Sequence, residues 1–420
     1  MSIVARATAD TAASADRTLG PIAGEERVVL LDVIRGFTLY GVLLANTVPW
    51  FSGWGLLPKA ETAARASISD EVALAFLTVF ISRKSQTLLT CLFGLGFAMQ
   101  LVRAEARREH GAWLFLRRLA GLLFIGAAHV ALVWWGDVLW GYALTGGTLL
   151  LFRQRSTRVL VLLAIALVFL PKFVVLVPVV SAFFDRIIPS PADRAVFDAE
   201  LLAVIRGHDY LDLVRMQLQR AFFHFWRHAP EYIPWMIGHF LVGYAAGRSR
   251  VLEHAAMHLR AWRKILVWGV ALGVAGGTAS AVKGYFVRHG WTPSTRWKAA
   301  LVVPEEVAIL AMASAYVAAL ALLMQSPKWQ RPLTLLTPPG QMALTTYLSQ
   351  SVIMTFLFYG WGLGLIGTYG PAACIAITLA VFAVQLALAR MWLARFRFGP
   401  MEWVWRTITY GKAPPLRRSA

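Results

Sequence analysis

The sequence predicts an all-α polytopic membrane protein, and three observations carry that expectation. Hydrophobic residues make up 58% of the 420 and charged residues 15%, which lies outside the range of soluble domains. Mean hydropathy is +0.59. About ten stretches each offer close to the ~20 apolar residues that a helix needs to cross a hydrocarbon core. Such a core demands helices, because each segment must satisfy its own backbone polar groups, and the short alternating segments of a membrane β-barrel are absent.

Residues 1–26 are polar and Ala-rich and are expected to form a disordered cytoplasmic tail. They lack the basic start, apolar run and cleavage site of a signal peptide. Crossings are expected at roughly 28–50, 71–102, 115–135, 137–152, 158–180, 231–247, 263–283, 301–324, 340–360 and 370–393. The second is too long for a straight span and is interrupted by SRKSQT (Ser82 to Thr87), which predicts a short interfacial or re-entrant piece before the helix proper. Arg215, Arg220 and Arg227 recur through YLDLVRMQLQRAFFHFWRH, so residues 181–230 read as an external amphipathic connection. The chain then divides into the tail, an N-terminal transmembrane half (27–180), that connection, a C-terminal transmembrane half (231–395) and a cytoplasmic segment (396–420).

A net charge of +19, from 41 Lys and Arg against 22 Asp and Glu, raises nucleic acid as a partner, but the placement of the charges points to topology instead. Alternate connections carry 25 and 14 basic residues, and Arg35 and Lys172 fall inside spans. The positive-inside rule puts the richer side, and with it both termini, in the cytoplasm. Lipid is the expected partner and nucleic acid is not. Cys91 and Cys374 both lie in apolar spans and read as small core residues rather than a disulfide framework.

The first crossing, LDVIRGFTLYGVLLANTVPW, carries Asp32, Arg35 and Asn46. At about 100° per residue, Asp32 and Arg35 lie about 60° apart, and Asn46 about 20° from Arg35 after three turns. That polar stripe must face protein or a wet cavity, since charge in a bilayer is costly and marks function by default. An Asp/Arg pair that only fixes helix packing is the simpler reading of the same residues. In LLFIGAAHVALVWWGDVLWGYALTG, a tight outer turn at Gly136 and Asp137 leaves His129 two turns below it. Histidine exchanges protons near neutral pH and can serve as a general base, oriented by Asp137 or Tyr142. A hydrogen-bonded core histidine is the bland alternative, and packing is the expected role of His239 in WMIGHFLVGYAAG. In GQMALTTYLSQS, Thr346, Ser349 and Gln350 form one polar face, suited to helix contacts or to a substrate path. In FRFGPMEWVWRTITY, Glu402 and Arg406 are four residues apart, as an ion pair or as a cap over a cytoplasmic entrance. A phosphate-binding loop, metal-ligand spacing and a nucleophile elbow are not found, so no metal and no bound cofactor are expected.

Five of these stretches, LDVIRGFTLYGVLLAN, LFGLGFAM, GDVLWGYALTG, GQMALTTYLSQS and GPMEWVWRTITY, resemble, in order, the YeiB-like bacterial membrane proteins that carry domain of unknown function 418. Where that family usually reads Thr-Asn-Tyr, this chain has Thr345-Thr346-Tyr347. The opening motif is similar to the transmembrane acyltransferase superfamily. The resemblance implies a bacterial inner-membrane enzyme that moves an acyl group, often acetyl, from cytosolic acyl-CoA as co-substrate to a glycan, lipid or small-molecule acceptor at or beyond the far face. On this expectation Arg35, fixed by Asp32, holds the donor and His129 deprotonates the acceptor. Asn46 or Gln350 steadies the acyl carbonyl, Asp137 and Tyr142 shape the outer mouth, and Glu402 with Arg406 belongs to the substrate-binding set. A transporter or exporter of a small metabolite or lipid, with the same stripe lining a pathway, is the alternative. The acyl group, the acceptor and the oligomeric state stay open.

Overall fold

The computed structural model describes residues 28–106, 111–174, 177 and 191–418, and the described residues are helical throughout, apart from connections and one isolated bridge between Phe396 and Arg417. The expected N-terminal tail and part of the 181–230 connection lie outside the described residues. Helix α1 (Val29–Asn46) runs into a π-helical turn at Thr47–Phe51. Two short helices follow, α2 (Lys59–Arg65) and α3 (Ile68–Phe76). A second π turn at Leu77–Ile81 and a break at Ser82 and Arg83 then lead into α4 (Lys84–Ala106). The interruption expected at SRKSQT is therefore a true discontinuity in the helix.

Helix α5 (Gly111–Leu132) turns back through the short α6 (Leu139–Gly146) and α7 (Leu149–Phe152). Next come α8 (Thr157–Val174), α9 (Pro191–Arg206) and the 39-residue α10 (Tyr210–Arg248). The antiparallel α11 (Leu259–Arg288) and α12 (Thr295–Leu323) are followed by the short α13 (Pro327–Thr334) and α14 (Thr337–Gln341). The chain ends on α15 (Ala343–Phe358), α16 (Pro371–Arg395) and α17 (Pro400–Tyr410).

Among the described residues seven helical stretches are long and apolar enough to cross a membrane, which makes this an all-α chain with the build of a polytopic membrane protein. Three of the ten expected crossings take another form. Residues 137–152 fold as α6 and α7, two short helices separated at Gly147. Residues 231–247 are the C-terminal part of α10, which runs without a break from the stretch read as an external amphipathic connection. Pro230 and Pro234 sit inside that helix, where a sequence reader places a boundary. Residues 340–360 contain the 16-residue α15.

Hydrophobic collapse cannot hold helices together in lipid, so close packing of small residues does it. At Gly243 of α10 a Cβ would stand 1.8 Å from the Cys91 carbonyl oxygen of α4, and at Gly94 it would stand 2.0 Å from the Phe240 carbonyl oxygen. Only glycine allows α4 and α10 to approach this closely. Helices α8 and α11 are the opposite case. Leu162, Ile165 and Leu170 of α8 and Val267, Trp268 and Leu272 of α11 are exposed, as side chains that face acyl chains should be.

Candidate active site

The site is assembled from α1, α4, the α5–α6 hairpin and α15. His129 ends α5 and is 4% exposed, so it faces protein rather than lipid. Its Nδ1 lies 3.0 Å from Asp137 Oδ1, and its Nε2 is buried and has no hydrogen-bond partner. Asp137 is itself fixed. Its Oδ2 accepts from the backbone N–H groups of Leu139 at 2.8 Å and Trp140 at 3.2 Å, which are orphan donors of the first turn of α6. One carboxylate thus starts a helix with one oxygen and holds an imidazole with the other. A carboxylate on Nδ1 keeps the proton there and leaves Nε2 as the basic nitrogen.

Two tyrosines close the surroundings of the imidazole. Tyr347 of α15 has its ring 5.8 Å from that of His129, and its hydroxyl accepts from Val138 N at 3.3 Å. Tyr142 of α6 is 3% exposed and its hydroxyl shares a 2.6 Å hydrogen bond with Thr90 of α4. Thr90 also donates to Gln86 O at 2.7 Å. Since that hydroxyl has one proton, Tyr142 donates to Thr90. Sequence reasoning did not single out Tyr347 or Thr90. Tyr347 sits inside a quoted motif one residue from Thr346, and an aromatic residue among hydroxyls on an apolar helix was the available signal.

The remaining expected residues divide by position. Asp32 and Arg35 form an ion pair at 3.3 Å on α1, with Asp32 buried and Arg35 about one-third exposed (32%). Gly340 of α14 packs directly against the Asp32 carbonyl oxygen. Gln350 is buried and its Nε2 donates to the Leu39 carbonyl at 3.3 Å, which ties α15 to the middle of α1. That bond places Gln350 about 6 Å along the axis from Arg35, and Asn46 lies about 16 Å from Arg35 toward the other end. Asn46 is buried where α1 passes into its π turn, and among the described residues it has no hydrogen bond to the His129 pair. A small pocket lined by Leu31, Leu95, Met99, Arg250 and Glu253 contains none of these residues.

Glu402 and Arg406 serve two different contacts. Glu402 Oε1 accepts from the backbone N–H groups of Leu344 at 2.6 Å and Thr345 at 3.1 Å, and Oε2 accepts from the Thr345 hydroxyl at 2.6 Å. It therefore caps the N-terminus of α15 from another helix, where a negative charge also suits the helix dipole. Burial nevertheless raises its carboxyl above the usual range, against the lowering effect of the bonds from Thr345 and Leu344. Arg406 lies over the Phe398 ring at 4.3 Å. Glu402 is thus bonded to the start of the helix that carries Tyr347 and Gln350.

The profile described as protein of unknown function (DUF418) matches residues 246–412. The uncharacterized protein YxaH of Bacillus subtilis is 30% identical to this chain, over 96% of the chain and 98% of the relative. The uncharacterized protein YeiB of Escherichia coli is 29% identical, over 93% and 98%. An uncharacterized 39.9 kDa protein from the amylase 3' region of Bacillus acidopullulyticus is 28% identical, over 95% and 98%. No solved structure matches. End-to-end similarity at this level, with the profile match in the C-terminal half, makes the chain a member of the DUF418 family, of the same kind as YxaH and YeiB.

Proposed function

We propose that the protein is a bacterial inner-membrane acyltransferase that moves an acyl group, acetyl in the first instance, from cytosolic acyl-CoA to a hydroxyl or amine of an acceptor at the membrane or its outer face. One observation carries this reading: His129 has Nδ1 held by a backbone-anchored carboxylate while Nε2 is unpartnered. That is the arrangement of a general base with its orienting group.

In the reaction, His129 Nε2 takes the acceptor's proton as the acceptor oxygen or nitrogen bonds to the thioester carbonyl carbon. The tetrahedral intermediate collapses with cleavage of the carbon–sulfur bond, and the departing thiolate takes the proton back from Nε2. Asp137 keeps the tautomer and stabilises the transient imidazolium, and Tyr142 and Tyr347 confine the ring. Arg35, held by Asp32, offers a planar fork to the donor's phosphates near the cytoplasmic end. One N–H of the Gln350 amide is engaged by the Leu39 carbonyl, and either its second N–H or the amide of Asn46 serves the acyl carbonyl.

The test incubates the protein in nanodiscs with radiolabelled acetyl-CoA and lipid or glycan extracts. Label transfer by wild type and its loss in His129→Ala are expected. Absence of transfer and of CoA binding, together with substrate flux in proteoliposomes, overturns the enzyme reading in favour of transport.

A further inference from the structure

A second buried polar cluster lies at the break between α3 and α4, between α8, α11 and α12. Glu306 of α12 is 1% exposed, and its Oε1 accepts from Arg83 at the break and from Lys172 of α8, the latter at 2.9 Å. The neighbouring Glu305 pairs with Lys283 of α11. Lys84 is 3% exposed, and among the described residues its ammonium donates to one acceptor, the Thr78 carbonyl. It feels the charges of both Arg83 and Glu305. Arg83 and Lys172 thus pair with Glu306 and Lys283 with Glu305, while Lys84 has no carboxylate partner among the described residues and Glu306 Oε2 is itself unpartnered, so four cations stand beside two carboxylates in a region where each unbalanced charge is expensive.

Two further features show how the excess is held. Arg83 adopts φ 65°, the left-handed region that a residue with a side chain rarely enters, and does so next to the first turn of α4. Its side chain remains 40% exposed although it is paired, so guanidinium donors are left over, and Lys172 is 17% exposed. Interrupted membrane helices with a free N-terminal end commonly face an anion.

We propose that this junction is a binding site for a phosphate-type dianion, received by Arg83, Lys84 and Lys172, with Glu306 keeping Arg83 and Lys172 together when the site is empty. The two-charge excess matches a phosphomonoester, and the same group is available as a lipid headgroup or as a soluble phosphate. The inference stands apart from acyl transfer, since none of these residues belongs to the His129 site.

The experiment uses the full chain in nanodiscs of zwitterionic lipid, titrated with inorganic phosphate by isothermal calorimetry. Wild type binds. Arg83→Gln and Lys172→Gln each weaken binding by at least about tenfold, and Glu306→Gln tightens it by about tenfold because a competing carboxylate is gone. A purely structural ion triad predicts no gain from Glu306→Gln. Arg83→Lys, which keeps the charge and loses the fork, should fall between wild type and Arg83→Gln. In nanodiscs containing phosphatidic acid, a lipid source leaves that lipid bound in native mass spectra and blocks free phosphate, whereas a soluble source leaves the phosphate isotherm unchanged. Monodisperse wild type that binds neither probe, or binding equal in wild type, Arg83→Gln and Lys172→Gln, overturns the proposal.

Discussion

Replacing Glu402 by alanine removes three hydrogen bonds at once, from Leu344 N, Thr345 N and the Thr345 hydroxyl. Two of those donors belong to the first turn of α15 and have no partner within the helix. Each buried donor left unsatisfied costs roughly 1–3 kcal/mol, so for the two backbone donors the expected loss is about 2–6 kcal/mol, reduced if water enters the vacated space. Glu402→Gln keeps one oxygen acceptor and loses the charge. The two variants therefore separate bond loss from charge loss. Burial raises the folded-state carboxyl pKa above its ordinary value of 4.5, so the stability contributed by its titration is complete below that value and is lost as pH rises through the folded-state value. Wild type should thus lose apparent Tm relative to Glu402→Gln as pH is raised from about 4.5 toward neutrality. Tryptophan-fluorescence melts in nanodiscs at several pH values measure this. Equal melting of wild type and Glu402→Ala, or a wild-type advantage over Glu402→Gln that grows with pH, refutes the reasoning.

Asp137→Asn should preserve the fold while an amide N–H turned toward His129 Nδ1 shifts the proton to Nε2; acetyl transfer is expected to fall by about 10²–10⁴-fold with acetyl-CoA binding unchanged, measured by radiolabel transfer and calorimetry. Gly243→Leu cannot be accommodated, because even its Cβ would lie 1.8 Å from the Cys91 carbonyl oxygen. It should cost more than about 3 kcal/mol or abolish monodisperse expression, as read by size-exclusion chromatography.

The membrane class and most long helices were legible because hydrophobic length alone specifies them. The His129–Asp137 pair was legible too, since a tight turn at Gly136 brings position 137 back toward α5. Other features depended on contacts that spacing does not encode. Glu402 and Arg406 are four residues apart on one helix, yet the buried first turn of a second helix, α15, bonds to the carboxylate. The boundary expected between residues 230 and 231 falls inside α10, which runs through Pro230 and Pro234. Arg83 and Lys84 stand beside a span in the sequence, and the pairing of Arg83 with Glu306, 223 residues away, and the burial of Lys84 arise from a helix break that spacing does not encode. Glu305 and Glu306 inside an apolar span were a visible sign of that cluster.

The buried cluster also changes the topology argument. Arg83 and Lys84 belong to the 14 basic residues of the poorer side, but they lie at a break within a membrane-spanning stretch and do not report on a connection. Without these two the poorer side has 12 against 25, so the positive-inside bias is stronger than the raw sequence suggests. The expected orientation puts the turn between α7 and α8 in the cytoplasm and the start of α3 outside. Ser156 and Ser69 are exposed at those two places, and neither native cysteine, Cys91 or Cys374, is exposed. In a Cys91→Ser, Cys374→Ser background, Ser69→Cys should react with a membrane-impermeant maleimide added to intact spheroplasts, and Ser156→Cys only after lysis. The reverse pattern inverts the protein, which would turn Arg35 away from cytosolic acyl-CoA and remove the donor half of the mechanism.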